Sequence, residues 1–122
     1  MICDQVALGA ALVLTPGEGR IDLSNADPFR DRLLEALALA PKAMVVDLSK
    51  VEYISSAGLR SLMIALKAAK GEGKALAVAA LAPLTREIFA ISRFDIVFPV
   101  FAGVRDAIQE LAPDALAEFD AL

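Results

Sequence analysis

The chain has 122 residues, with 16 acidic side chains against 12 basic ones, no histidine, a single cysteine and a hydrophobic fraction of 57%. That length suits one domain that can bury its own core without staples. The net charge of −4 argues against a general binder of nucleic-acid backbones, which needs clustered lysine and arginine, and the missing histidine removes every Ser-His-Asp or Cys-His relay and leaves zinc only Cys3 and scattered carboxylates.

Weak alternation through Ile2–Leu8, a break at Gly9 and the run Ala11-Leu12-Val13-Leu14 before Thr-Pro-Gly-Glu-Gly predict two short strands, antiparallel about Gly9. Cys3 then reads as a small apolar residue near the start of an edge strand. After Gly19-Arg20-Ile21-Asp22, Ser24 is placed to cap a helix that carries Asp27 and Pro28 in its first turn. Phe29, Leu33, Ala36, Leu37 and Ala40 give that helix its apolar face, and Pro41 stops it. The uncharged apolar stretch Val6 to Gly17 has twelve residues and is broken by Gly9 and Pro16. A bilayer span needs about 20 apolar residues, so no membrane helix is expected; the first residues lack a basic signal-peptide region, and the chain reads as cytoplasmic.

Ala43 to Leu48 is a nearly continuous apolar run of the kind a parallel strand shows when both its faces are covered. From about Ala57 to Lys70 a helix follows, with Leu59, Leu62, Met63 and Leu66 as its stripe, and Gly71 and Gly73 are positioned to end it in a left-handed turn. Ala75–Leu81 is alanine-rich enough for a helix, but its shortness between Gly73 and Pro83 favours a strand. Pro83 opens a third helix with Leu84, Ile88 and Ile91 on one face; Ile96–Phe101 reads as a last strand, Pro99 marking it as an edge or an end. Val104, Ala107, Ile108 and Leu111 form a final helix closed by Pro113. This alternation predicts an α/β fold with a mostly parallel sheet of about five strands, one antiparallel neighbour from the N-terminus, and about four helices.

The chemistry of interest lies in Val51-Glu52-Tyr53-Ile54-Ser55-Ser56-Ala57-Gly58-Leu59-Arg60, where a strand hands over to a helix. In open α/β sheets the functional surface lies beyond the carboxyl ends of the strands. A serine at such a joint either caps free helix N–H groups or accepts a phosphate that those groups then favour, and both roles are compatible. A catalytic serine would need a lysine base, yet Lys50 precedes the loop and Lys67 lies roughly 16 Å along the helix from Ser56. Gly17-Glu18-Gly19 lacks the full phosphate-loop pattern and reads as a turn. Asp22 and Asp47, at or near strand ends, are candidates for loop capping first and for binding second. No catalytic group, metal site or cofactor is expected.

Residues 46–62, Val-Asp-Leu-Ser-Lys-Val-Glu-Tyr-Ile-Ser-Ser-Ala-Gly-Leu-Arg-Ser-Leu, together with the order of elements, resemble the STAS domain of bacterial anti-sigma factor antagonists. The resemblance spans about Val6 to Leu111 of a single domain, residues 1–122, and leaves 113–122 as a C-terminal extension. It implies a partner switch: the unmodified antagonist binds an anti-sigma factor that is also a serine kinase, phosphorylation at the start of the second helix releases it, and a serine phosphatase restores it. The family motif Asp-Ser-Ser/Thr-Gly-Leu puts Ser55 at the aspartate, Ser56 at the phosphorylated serine, and Gly58 and Leu59 on their counterparts, with Ser55 the lesser candidate for the phosphate. Asp22, Ser55, Ser56, Ala57, Gly58, Leu59 and Arg60 are then the expected partner-binding set. Because Ser55 departs from the motif, the alternative is an unphosphorylated STAS scaffold in a transporter or signalling complex.

Overall fold

Strands whose side chains are apolar on both faces form the centre of the sheet. A computed structural model describes all residues, 1–122. In chain order the strands are β1 (Cys3–Leu8), β2 (Ala11–Pro16), β3 (Arg20–Ile21), β4 (Ala43–Asp47), β5 (Tyr53–Ile54), β6 (Ala75–Ala79) and β7 (Val100–Phe101). The helices are α1 (Ala26–Leu39), α2 (Ser56–Gly71), α3 (Pro83–Ile91), α4 (Phe94–Val97), α5 (Val104–Leu111) and α6 (Leu116–Asp120). Five strands make one sheet in the order β1-β2-β4-β6-β7, parallel throughout except for β1, which runs antiparallel to β2 with Leu8 opposite Ala11. Gly9, at φ +55°, supplies the left-handed residue of the β1–β2 turn.

Side-chain alternation splits the interior in two. Leu12, Leu14, Met44, Val46, Leu76 and Val78 point to the face covered by α1, α2 and α3, where Phe29, Leu33, Leu62 and Phe89 complete the larger core. Ala11, Val13, Val45 and Ala79 point to the opposite face, closed by Ala107 and Ile108 of α5 and by Ala115. Each large side chain fully buried this way contributes about 1.5–3 kcal/mol. At the C-terminus of α2, Gly73 (φ +69°) lets its own N–H reach the Lys70 carbonyl and the Lys74 N–H reach that of Ala69, the paired closure that stops a helix. No helix is long and apolar enough to cross a membrane.

Several sequence expectations need correction. Ser24 does not cap α1; Asn25 occupies that position, without a side-chain cap, while the Ser24 hydroxyl donates to Asp22. The buried face of α3 is Thr85 and Phe89, with Leu84 and Ile91 turned to solvent. Of the strand expected over 96–101, Ile96 and Val97 are instead helical and only Val100 and Phe101 pair with β6: α4 begins after Arg93, which adopts a left-handed φ of +62°, and Phe94 stacks on Phe98 at 5.9 Å. Two short helices, α4 and α6, therefore join the four expected. Residues 113–122 turn back as a 3-10 turn and α6, held by a two-pronged Arg105–Asp120 pair at 3.0 and 3.1 Å.

Thr85 is fully buried, and its hydroxyl donates to the Val51 carbonyl at 2.9 Å, tying α3 to the segment that enters β5. Thr85→Val keeps the shape and strands that carbonyl, so it is expected to lower the unfolding free energy by about 1–3 kcal/mol, seen as a lower urea midpoint at unchanged slope.

Candidate functional site at the start of helix α2

The site is assembled by two very short strands outside the main sheet. β3 and β5 pair in parallel, Arg20 beside Tyr53 and Ile21 beside Ile54. The ladder is extended at both ends: the Glu52 N–H donates to the Gly19 carbonyl and the Ser55 N–H to that of Ile21, each at 2.8 Å. On its outer side the Arg20 guanidinium lies 4.4 Å from the centre of the Tyr53 ring, a cation–π contact. Its inner side chains, Ile21 and Ile54, are fully buried and form the floor on which α2 begins.

The two serines divide the roles. Ser55 has an extended backbone (φ −86°, ψ 175°) and is the N-cap; its Oγ accepts the Gly58 N–H in a long, weak bond of 3.5 Å, and its carbonyl accepts the Leu59 N–H at 2.9 Å. Ser56 is the first helical residue and is exposed. Its hydroxyl makes no hydrogen bond within the chain, whereas that of Ser55 serves as the cap. Gly58 is required by close approach: a Cβ there would sit 2.6 Å from Ile54 Cγ1 and 2.8 Å from Ile21 Cγ2. One turn on, the buried Ser61 hydroxyl donates to the Ala26 carbonyl at 2.8 Å and locks α2 against the start of α1.

Between α1 and α2 runs a groove of about 530 Å³ that includes Leu23, Asp27, Arg30, Ser56, Arg60 and Ile64 in its walls. Arg30 is engaged by Asp27 at 3.4 Å and Asp31 at 3.1 Å; Arg60 is exposed and has no carboxylate within ion-pair distance. On its other side Ser56 borders a shallower hollow of about 240 Å³ with Tyr53, Ser55, Leu59, Ile88 and Ile91. Leu23 is 85% and Ile91 84% exposed, so uncovered apolar side chains flank the serine on both sides.

Of the expected partner-binding residues, Ser55, Ser56, Ala57 and Arg60 reach these surfaces, Leu59 is buried but lines the floor of the smaller hollow, and Gly58 is buried beneath the helix start. Asp22 follows β3 at the same end of the ladder and organises the β3–α1 loop: its carboxylate accepts the Ser24 N–H at 3.0 Å and the Ser24 hydroxyl at 2.5 Å, while Asn25 accepts the Asp22 N–H and donates to the Arg20 carbonyl. Those hydrogen bonds from Ser24, helped by Arg20, hold the Asp22 carboxyl below the usual aspartate range. A carboxyl lowered in the folded state adds stability above the unfolded value near 4 and loses it as pH falls through the lower folded value. Asp22→Asn is therefore expected to be less stable than the parent at pH 6, with the gap in denaturation midpoint closing as the pH falls below about 4. Asp47 caps its own loop by accepting the Ser49 N–H at 3.0 Å, and Lys50 faces Asp4 at 3.5 Å.

Sequence reasoning missed Thr85, Ser61 and the β3–β5 ladder. The first two look like ordinary helical polar residues until their acceptors, 34 and 35 residues away, are in place. The ladder is two residues per strand and carries no periodic signal.

The family described as "Mlab, STAS domain" matches residues 9–112. BtrV of Bordetella bronchiseptica, named as a candidate anti-sigma factor antagonist, is 34% identical over 90 residues, 74% of this chain and 77% of that protein. RsfB of Mycobacterium tuberculosis, an anti-sigma-F factor antagonist, is 32% identical over 90 residues, 74% and 73% of the two chains. Among solved structures, an anti-sigma factor antagonist from Mycobacterium paratuberculosis superposes with a TM-score of 0.79 at 27% identity, covering 90% of this chain and 92% of its own. The fold is also that of the Bacillus antagonist SpoIIAA, whose unphosphorylated form matches at a TM-score of 0.72 and phosphorylated form at 0.65, each 14% identical and covering 89% of this chain and 95% or 98% of its own. These relatives bear the names of regulatory antagonists, not of enzymes. Fold, strand-to-helix joint and matched sequence agree, and the chain belongs to the STAS-domain family, which includes the anti-sigma factor antagonists.

Proposed function

We propose that this protein is a cytoplasmic anti-sigma factor antagonist whose binding to an anti-sigma factor is switched by phosphorylation of Ser56. The observation that carries the proposal is the contrast at the joint: Ser55 Oγ is used as the cap, while the neighbouring Ser56 hydroxyl is exposed, unpartnered and flanked by uncovered Leu23 and Ile91. The unmodified serine sits within a surface suited to an apolar partner. Phosphate adds about −1.5 to −2 charge at that point, which opposes burial under a partner, while the positive end of α2 tolerates it without refolding. The partner is an anti-sigma factor with serine kinase activity, and a separate serine phosphatase resets the switch. The names of the curated relatives and the two forms of SpoIIAA support this reading.

A tagged chain recovered from its native cells is expected to carry an anti-sigma factor of the kinase type; incubation of that pair with ATP, followed by peptide mass spectrometry, is expected to place phosphate on Ser56. Modification confined to sites outside residues 53–61, or no modification, would overturn the switch. A second reading follows from Ser55, which leaves the first turn of α2 without the acidic residue of the family motif: an unphosphorylated scaffold, for which the recovered partner would be a transporter or signalling subunit.

A further inference from the structure

We infer that Arg60 is a positioning residue for the modified state, closing on a phosphate carried by Ser56 and holding it in the α1–α2 groove; this rests on Ser56 being the phosphorylated residue. Ser56 and Arg60 are four residues apart on α2, the spacing that puts two side chains on one face about 5–6 Å apart at Cβ. Both line the same groove. The charges around that position favour Arg60 specifically. From α1, Arg30 is already held by Asp27 and Asp31, and the Asp27 carboxylate opposes a phosphate. From the β3–α1 loop, the Asp22 carboxylate is turned toward Ser24, and β5 presents the neutral Tyr53, whose ring is covered by Arg20. Arg60 alone combines a free guanidinium with the matching face of the helix, and a guanidinium binds phosphate through two parallel N–H donors.

The consequence is that the phosphate is fixed on the groove side of α2, over the Leu23 and Ile64 walls, instead of ranging over the hollow lined by Ile88 and Ile91. Modification then both adds charge and fills the groove.

The test uses the full chain with phosphoserine encoded genetically at position 56, so that no kinase is involved. A phosphorus NMR titration is expected to give a second phosphate pKa about 0.5 lower in the parent than in Arg60→Gln, with most of the difference restored by Arg60→Lys and the effect shrinking at 1 M salt. Amide NMR spectra of the same samples report the fold directly. Identical titrations in the parent and Arg60→Gln would overturn the inference, as would a phosphoserine chain that fails to fold. Either result leaves kinase mapping of Ser56 standing, and a failure of that mapping leaves this titration interpretable on its own terms.

Discussion

Gly58→Ala is expected to lower the unfolding free energy by about 1–3 kcal/mol, the usual cost of forcing a methyl group into a packed interior. The added Cβ would lie 2.6 Å from Ile54 Cγ1 and 2.8 Å from Ile21 Cγ2, and both isoleucines are fully buried. Relief requires α2 to lift from the β3–β5 ladder, which also moves Ser55 and Ser56. The effect should therefore appear twice, as a lower midpoint in urea denaturation and as amide shift changes through residues 53–60. Gly71→Ala is the control: nothing lies within 4 Å of its added Cβ and its φ is not left-handed, so it is expected to be neutral or to stabilise slightly by removing glycine from a helix end.

Ser56→Glu is expected to weaken binding to the anti-sigma factor by about 100-fold or more, since a charge placed under a partner costs several kcal/mol and 1.4 kcal/mol is a factor of ten. Ser56→Ala removes only an exposed hydroxyl that no group in the chain uses, so it should bind within a few-fold of the parent and stay bound when ATP is added. Isothermal titration with the purified partner separates the three proteins. The pair of variants distinguishes a charge switch from a site that merely tolerates no change, because only the charged replacement should fail.

Elements whose identity depends on local pattern were legible in the sequence. Ala43–Asp47 declared itself because both faces of β4 are buried, and α2 because Leu59, Leu62 and Leu66 recur at helical spacing and all reach the core. The joint at Ser55 and Ser56 was also legible as a strand-to-helix transition with a capping serine. Where tertiary contacts decide between neighbouring choices, pattern failed. Ser24 and Asn25 are both good caps by residue type, but Asn25 lies at the α1 cap position, its side chain spent on Asp22 and Arg20, leaving Ser24 to Asp22. The run Ile96-Val97-Phe98 is apolar enough for a strand, yet Phe94 and Phe98 stack across one helical turn and Ile96 is left 74% exposed. On α3, Leu84, Ile88 and Ile91 make an apolar stripe as good as any, but the buried hydrogen bond of Thr85 and the burial of Phe89 rotate the helix away from it. Two residues of that stripe, Ile88 and Ile91, line the hollow beside Ser56.

On the proposed switch, one phosphate on Ser56 decides whether the partner binds. The most direct test is the affinity of the full chain, with and without phosphoserine encoded at position 56, for the anti-sigma factor recovered with it. The unmodified protein is expected to bind and the modified one to bind about 100-fold more weakly or not at all, with both chains equally folded by amide NMR; equal affinities would contradict the account.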